Sequence, residues 1–395
     1  MQNLDKWIEI DVAAIRNNLL QIRSLLDEQV RLIAVLKADA YGHGAGETAR
    51  LLVQQGVDYF AVTFLHEALQ LRKAGIRSSI MLFVPLISEE QVEEALDNDL
   101  TLTIASPRDL DILLKGCHDT RQPVIVHIKV DTGLGRFGLT TEEALVVCRE
   151  LNDYPNIYIE GIYTHMADAA GAAGYTVMQF RRFAKILEGL EREGFDIPIK
   201  HCANSAVFLK YPHMHMDAVR IGTLLSGQHP VGSFPRHLSL QDPYRFMSRI
   251  VSLRTLEKGS YLGYYRTFRM RKTALIAVIP AGFNDGLTLQ ITNPPTGLWD
   301  LLKGLARQVL VFFHHPRFTL QVTMKGKTYP VRGKVFMQMA LVEFPLEADV
   351  QVGDPVELPV RKTLAAPNIV RVYMQEGEAG KIARGEATTF VLEEE

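Results

Sequence analysis

Between about Arg31 and Thr223 the chain alternates short β-rich runs with longer amphipathic stretches, and this alternation limits the folds open to it. The β-rich runs are Leu32–Leu36, Tyr59–Val62, Ile80–Phe83, Leu100–Ile104, Val124–Val130, Ile157–Thr164, Ile199–Cys202 and Ala218–Ile221. Between them lie Gly44–Gln54, Leu65–Ala74, Glu89–Asp97, Thr141–Asn152 and Val177–Glu193, which carry helical periodicity. Eight strands alternating with helices predict an α/β fold, a parallel (β/α)8 TIM barrel.

The pattern changes after Gly227. Gln228 to Tyr244 is rich in Pro, His, Gly and Ser and reads as a linker or long loop. From Ser248 onward helical periodicity mostly disappears. The runs Ile250–Leu253, Ala274–Ile279, Gln308–Phe313, Thr319–Met324, Val335–Val342 and Val356–Leu358 are spaced by Gly, Pro and charged turns, which describes a β domain. One helical exception is expected within it, at Leu298–Ala306. The expected organisation is a barrel over residues 1–227, a linker over 228–247 and a C-terminal β domain over 248–395, with about the first 10 residues open to assignment to the β domain. The closing Glu393-Glu394-Glu395 is an acidic tail expected to fray.

A chain of 395 residues is too long for one small core, in keeping with two domains. Hydrophobic residues make up 47% and charged residues 22%, an ordinary globular balance. A formal net charge of −2 gives no reason to expect nucleic acid or an anionic membrane as a partner. No signal-peptide pattern follows the N-terminal residues, and no stretch approaches the roughly 18 apolar residues of a membrane helix. Cys117, Cys148 and Cys202 are far apart, odd in number and without metal-site spacing. They read as reduced thiols of a cytoplasmic protein that holds no metal.

The most informative stretch is Ile33-Ala34-Val35-Leu36-Lys37-Ala38-Asp39-Ala40-Tyr41-Gly42-His43-Gly44. An apolar strand runs straight into a lysine and then into a glycine-bearing turn. In a barrel, Lys37 would sit at the C-terminal end of a strand, where such enzymes place their chemistry. Desolvation there lowers a lysine's pKa and favours the neutral amine that forms Schiff bases. A lone lysine in this place would more simply be reaching solvent.

The surrounding residues reverse that preference. The run AVLKADAYGHG resembles the cofactor-lysine motif of the alanine racemase family, fold-type III enzymes that use pyridoxal 5'-phosphate (PLP). The resemblance continues in order through Trp7-Ile8-Glu9-Ile10-Asp11, Lys129-Val130-Asp131-Thr132-Gly133-Leu134-Gly135-Arg136, Thr164-His165, His201-Cys202-Ala203-Asn204-Ser205-Ala206 and Arg220-Ile221-Gly222. Several separated motifs in order are far more specific than any one of them.

The resemblance implies a role for each matching position. Lys37 bonds PLP covalently and also serves as the base on one face of the substrate Cα. Tyr41, Ser205 and the backbone amides of Gly222 and Thr223 form the phosphate cup. Arg220 meets the pyridine nitrogen and, being unable to give up its proton, keeps that nitrogen unprotonated. Arg136 lies near the phenolic oxygen, and Lys129 resembles a lysine that in some relatives is carbamylated and positions that arginine. An ion pair between Lys129 and Asp131 is the competing reading. His165 contacts the cofactor ring, and Asn204 lines the same pocket. The resemblance also implies a homodimer with shared active sites.

The second base of the family is a tyrosine in a Tyr-Gly-x-Thr-aromatic run, supplied by the partner subunit. The matching run is Tyr264-Tyr265-Arg266-Thr267-Phe268, which puts Tyr264 in the catalytic position and Tyr265 where the family has glycine. The family's Gly-Tyr-x-Asp-Gly motif appears as Gly282-Phe283-Asn284-Asp285-Gly286, so Phe283 keeps the ring and loses the hydroxyl. The Met-Asp pair appears as Met337-Gln338; Met337 keeps its backbone amide for a substrate carboxylate, while the aspartate charge is gone. A C-terminal Tyr-Glu motif is missing. The changes cluster in the β domain, where the segment between Leu287 and Arg332 is also longer than usual for the family.

Three functions follow. The first is an amino-acid racemase acting on alanine or a related amino acid, with Lys37 on one face and Tyr264 on the other. The second is a PLP enzyme of the same fold with one-base chemistry, although the CDxxG-type segment of the fold's decarboxylases is absent. The third is a non-catalytic binder of PLP or an amino acid.

Overall fold

The computed structural model describes residues 3–390, apart from 119, 121, 172, 233, 236, 291–293, 296, 314, 376–377 and 385–387. The chain divides into two compact units. One is Val12–Pro243; the other joins the first strand to the residues from Tyr244 onward.

Val12–Pro243 is a parallel barrel. Its strands are β2 (Arg31–Val35), β3 (Tyr59–Val62), β4 (Ser79–Leu82), β5 (Leu100–Ile104), β6 (Val124–Lys129), β7 (Ile157–Tyr163), β8 (Ile199–His201), β9 (Ala203–Asn204) and β10 (Ala218–Ile221). They are hydrogen-bonded in the order β8-β7-β6-β5-β4-β3-β2-β10-β9. Only Cys202 separates β8 from β9, so the two are halves of one strand and the ring closes at eight. Every residue of β3 and β5 is buried, because helices cover one face and barrel side chains fill the other. Ile33, Val35, Tyr59, Ala61, Met81, Tyr163 and Ala218 form one interior cluster.

The helices are α1 (Val12–Arg23), α2 (Ala45–Gln54), α3 (Leu65–Lys73), α4 (Glu89–Asp97), α5 (Pro107–Gly116), α6 (Thr141–Asn152), α7 (Ala173–Arg192) and α8 (Ser205–Lys210). Their starts are written locally. Ser88 and Ser106 accept from the third backbone N–H of their helices, and Thr140 with Glu143 forms a full capping box. Three helices, α1, α5 and the short α8, lie outside the five expected amphipathic stretches, although Ser106 followed by Pro107 is a helix-start signal.

The other unit is built on an eight-stranded sheet. Strand β1 (Lys6–Asp11) lies in its middle, antiparallel to β11 (Tyr244–Arg249) and parallel to β20 (Arg371–Gln375). The sheet continues through β19 (Pro355–Leu358), β16 (Gln321–Met324) and β17 (Lys327–Pro330) on one side and β21 (Glu378–Arg384) and β22 (Thr388–Phe390) on the other. A three-stranded sheet of β12 (Ser252–Leu256), β15 (Ala274–Ile279) and β18 (Ala340–Phe344) and a hairpin of β13 (Tyr261–Leu262) and β14 (Phe268–Arg269) complete it. No regular element occurs among the described residues of 228–243.

Two local expectations are corrected here. Gln308–Phe313 is not a strand: one helix, α9, runs over Leu298–Phe312 and absorbs both that run and the expected helix at Leu298–Ala306. The density of Val and Phe at its end suits a strand locally, but the 3.6-residue spacing of the whole segment decides. Val335–Val342 is not one strand either, because a turn closed by Phe336 N–H donating to the Met339 carbonyl precedes β18.

Candidate active site

The C-terminal ends of the barrel strands open into a cavity of about 510 Å³, within the range of small-molecule sites. Lys37, Tyr41, Lys129, Arg136, His165, Asn204, Ser205, Arg220, Gly222 and Thr223 all line it. The barrel half of the expected site is therefore assembled in one place. Tyr163, Phe64, Phe83 and Phe137 also line it and were not singled out in the sequence.

Lys37 follows β2 after a single residue and begins an unusual turn. Ala38, Asp39, Ala40 and Tyr41 all have positive φ, at 50°, 55°, 52° and 57°. This is one turn of left-handed helix without a glycine, and each residue in it costs roughly 1–2 kcal/mol. The turn is held from outside. The Glu67 carboxylate accepts from Ala38 N–H at 2.6 Å with one oxygen, and from Thr63 and Phe64 N–H at 2.8 and 2.9 Å with the other. Asp39 Oδ1 accepts from Ala45 N–H at 2.7 Å, tying the turn to the start of α2. The effect is to present Lys37 and Tyr41 to the same cavity. Burial lowers the pKa of Lys37; Arg136 lowers it further, and Glu67 opposes both.

The far side of the cavity is cationic. Burial, then Arg136 and Arg220, bring Lys129 down to about 7, so it is a mixture of ammonium and amine at neutral pH. Its Nζ sits 3.4 Å from the centroid of the Phe137 ring. Asp131, the partner of Lys129 in the competing reading, accepts from the backbone N–H groups of Gly133, Leu134 and Gly135, which shapes the loop that carries Arg136. Burial and the surrounding cations hold His165 at about 3, so it is neutral.

Arg220 is buried, with its guanidinium 5.1 Å from the Tyr163 ring centroid. Its Nη2 donates to the Thr164 carbonyl at 2.8 Å and its Nη1 to His201 Nδ1 at 2.8 Å. Arginine only donates, which fixes every proton beyond it. His201 Nδ1 must accept, so its Nε2–H donates to His127 Nδ1 at 2.9 Å. His127 Nε2–H then donates to Glu160 Oε2 at 2.9 Å, where the Tyr59 hydroxyl also donates at 2.6 Å. Both imidazoles are held neutral: burial outweighs Glu160 at His127, and burial together with Arg220 lowers His201. Burial pushes Glu160 up, but the bonds from His127 and Tyr59 prevail and leave it low. A directed chain thus runs from the cavity arginine to a carboxylate beneath it. Gly161 makes room for it, because a Cβ there would lie 2.4 Å from His127 Cε1.

At the end of β10 bare backbone meets a hydroxyl at the cavity wall. A Cβ on Gly222 would lie 2.2 Å from Tyr41 Oη, so bare backbone is required where that hydroxyl meets the chain. Burial pushes Tyr41 up to about 12, which keeps its hydroxyl a donor. Ser205 lines the same cavity, and the Asn204 side-chain oxygen accepts from Ala206 and Val207 N–H, capping α8. A lysine desolvated at one end, a glycine-backed cup with two hydroxyls, and a fixed guanidinium are the parts that pyridoxal phosphate needs. The residues fit that group.

The remaining expected residues belong to the other unit. Tyr264 and Phe283 lie in short 3-10 turns, and Met337 lies in the loop before β18. The ring of Tyr264 meets Phe336 edge-on at 5.2 Å, and Phe283 N–H donates to the Phe336 carbonyl at 3.1 Å. All three therefore gather around one loop, and all are exposed. Asp285 of the same motif is buried in a 2.7 Å ion pair with Lys6 and fixes the turn that carries Phe283.

The fold and the cavity define a class: barrel enzymes that hold a phosphate-bearing aldehyde cofactor through a lysine. Comparison with known proteins gives the family. Residues 10–230 match the alanine racemase N-terminal domain and residues 244–372 the alanine racemase C-terminal domain. The chain is 34% identical over 359 residues to alanine racemase 1 of Oceanobacillus iheyensis, which covers 90% of this chain and 88% of that one. It superposes on the alanine racemase of Clostridium difficile 630 with a TM-score of 0.86 at 28% identity, covering 97% and 99% of the two chains. It also superposes on a Bacillus anthracis alanine racemase solved with bound L-Ala-P, with a TM-score of 0.81 at 26% identity over 96% and 97%. The chain belongs to the alanine racemase family, PLP-dependent isomerases.

Proposed function

We propose that the chain interconverts L- and D-alanine, with Lys37 acting on one face of the substrate Cα and Tyr264, from a second copy of the chain, on the other. The single observation that carries this is the convergence of Lys37, Tyr41, Arg220 and Gly222 on one cavity. The L-Ala-P held by the Bacillus anthracis relative supports alanine as the substrate.

When bound, PLP withdraws electrons from the bond to the α-hydrogen and makes that proton removable. Lys37 then needs to be a neutral amine, and its burial favours that form. It takes the α-proton on its side, or returns one. The Tyr264 hydroxyl gives or takes a proton on the opposite side. Arg220 has both terminal nitrogens engaged by the barrel wall, which leaves its Nε–H as the donor for a ligand. Because Arg220 cannot release that proton, a cofactor ring nitrogen held against it would stay unprotonated, which would favour fast reprotonation over side reactions. Lys129, next to Arg136 in charge, orients that guanidinium toward the phenolic oxygen, whether as an amine or as a carbamate. His165 and Asn204 would wall the cofactor ring, and Ser205, Thr223 and Gly222 would hold its phosphate. Met337 offers its amide to the carboxylate, and Phe283 narrows the entrance.

A homodimer follows from this reading, because Tyr264, Phe283 and Met337 form an exposed patch that needs a barrel mouth to face. A cytoplasmic site of action is in keeping with the three buried, unpaired cysteines. The test is L-alanine in deuterated water. Loss of the α-proton signal together with accumulation of D-alanine supports two-base racemisation. Exchange with full retention of configuration points to one-base chemistry, and no exchange leaves a binder.

A further inference from the structure

The helix α9 (Leu298–Phe312) carries a second message. Its apolar residues Leu298, Leu302, Leu305, Val309 and Phe312 recur at helical spacing, flanked by Trp299, Leu301 and Leu310. Asp300, Lys303 and Arg307 occupy the opposite arc. At 3.6 residues per turn the apolar arc, from Leu301 to Leu310, spans about 180°, with Val311 outside it on the polar side. On an ordinary surface helix this arc faces inward. Here it does not: no residue of the helix is buried, and Leu298, Trp299 and Phe312 are each at least 73% exposed. The polar arc is the side tied to the chain, through Arg307 Nη2 donating to Gln290 Oε1 at 3.1 Å.

Three properties select the covering surface. First, the arc is too wide for pairing with one other helix, which buries a stripe of about 100°. Second, residues 298–317 carry Lys303, Arg307 and Arg317 against Asp300 alone, so this segment is positive on a chain of net charge −2. Third, 15 residues give about 22 Å of helix, short of the roughly 30 Å hydrocarbon core of a bilayer, so the helix can lie on a membrane but not cross it.

We propose that α9 is an interfacial anchor that docks the protein on an anionic lipid surface. The helix lies in the plane of the headgroups, with Leu302, Leu305, Val309 and Phe312 below it, Lys303 and Arg317 reaching toward the phosphates, and Arg307 turned back to the chain. Whole-chain composition hides this feature because the positive segment is offset elsewhere. The proposal is independent of the catalytic reading.

The protein carries its own reporter. Of its two tryptophans, Trp7 is 2% exposed and Trp299 is 75% exposed, so a change of solvent at the surface is read at Trp299. The intact holoenzyme is titrated with phosphatidylcholine vesicles containing or lacking 30% phosphatidylglycerol, following co-sedimentation and tryptophan emission. A blue shift with the anionic vesicles, reversed by high salt, is expected. Lys303→Gln with Arg317→Gln should weaken binding about 30-fold, since each basic residue at such a surface contributes about 1 kcal/mol. Leu302→Gln with Leu305→Gln should abolish binding while leaving turnover of L-alanine and far-UV circular dichroism unchanged. Absence of binding to anionic vesicles overturns the proposal. So does binding that survives the Leu302/Leu305 change. Concentration-dependent assembly beyond a dimer that the same change abolishes, without vesicle binding, would make a second copy the occupant and overturn it as well.

Discussion

Glu67→Gln tests the account of how Lys37 is placed. The four left-handed residues after Lys37 cost roughly 4–8 kcal/mol together at about 1–2 kcal/mol each. One carboxylate offsets much of that by accepting three backbone N–H groups, those of Ala38, Thr63 and Phe64. The isosteric amide has one oxygen and one NH2. If the oxygen stays on Thr63 and Phe64, the amide NH2 faces the Ala38 N–H, and two donors oppose each other. That strands one donor, at about 1–3 kcal/mol, and weakens two charge-assisted bonds to neutral ones, at about 0.5–1 kcal/mol each. The sum is about 3 kcal/mol, and at roughly 2–4 °C per kcal/mol for a domain of this size Tm should fall by about 10 °C. Because the lost bond is the one that holds the lysine's turn, PLP occupancy should fall with it. Thermal unfolding by circular dichroism and cofactor absorbance read the two effects. A variant that melts within about 2 °C of the parent, with full occupancy, would refute the reasoning.

Gly222→Ala puts a Cβ 2.2 Å from Tyr41 Oη, so PLP affinity measured by titration of the apoprotein should drop at least tenfold with little change in fold. Glu160→Leu leaves the buried donors His127 Nε2–H and Tyr59 O–H without their acceptor, at about 1–3 kcal/mol each, so Tm should fall further than in Glu160→Gln, which keeps an oxygen there. Tyr264→Phe should lower racemisation by about 10²–10⁴-fold while PLP binding is retained; an unchanged rate would mean another group serves that face. Lys129 reacts with carbon dioxide only as the neutral amine, and its pKa of about 7 places that form above neutral pH. A ¹³C carbamate signal from labelled bicarbonate should therefore be present at pH 8 and fade toward pH 6, and a signal that does not change would contradict the assignment.

The barrel was legible because its strands are dense apolar runs bounded by helix starts. Its cavity residues were legible mainly through the ordered motifs that resemble the alanine racemase family; the strand end alone marked only Lys37. The left-handed turn was not: Ala38-Asp39-Ala40 contains no glycine to mark positive φ, and its support comes from Glu67, 29 residues away. The chain from Arg220 to Glu160 was equally silent. His127, Glu160 and His201 come together only through barrel register, in which His127 pairs with Gly161 and Tyr163 with His201. Helix α9 shows the reverse failure, in which a local β-like ending at Val309–Phe313 hid a longer helical period.

The most direct test of the central claim, that Lys37 carries the cofactor, is borohydride reduction of the holoenzyme followed by peptide mapping. The account predicts a pyridoxyl mass on the peptide containing Lys37, permanent loss of the yellow absorbance and loss of racemase activity together. Cofactor fixed on another lysine, or absorbance unchanged by reduction, would contradict it.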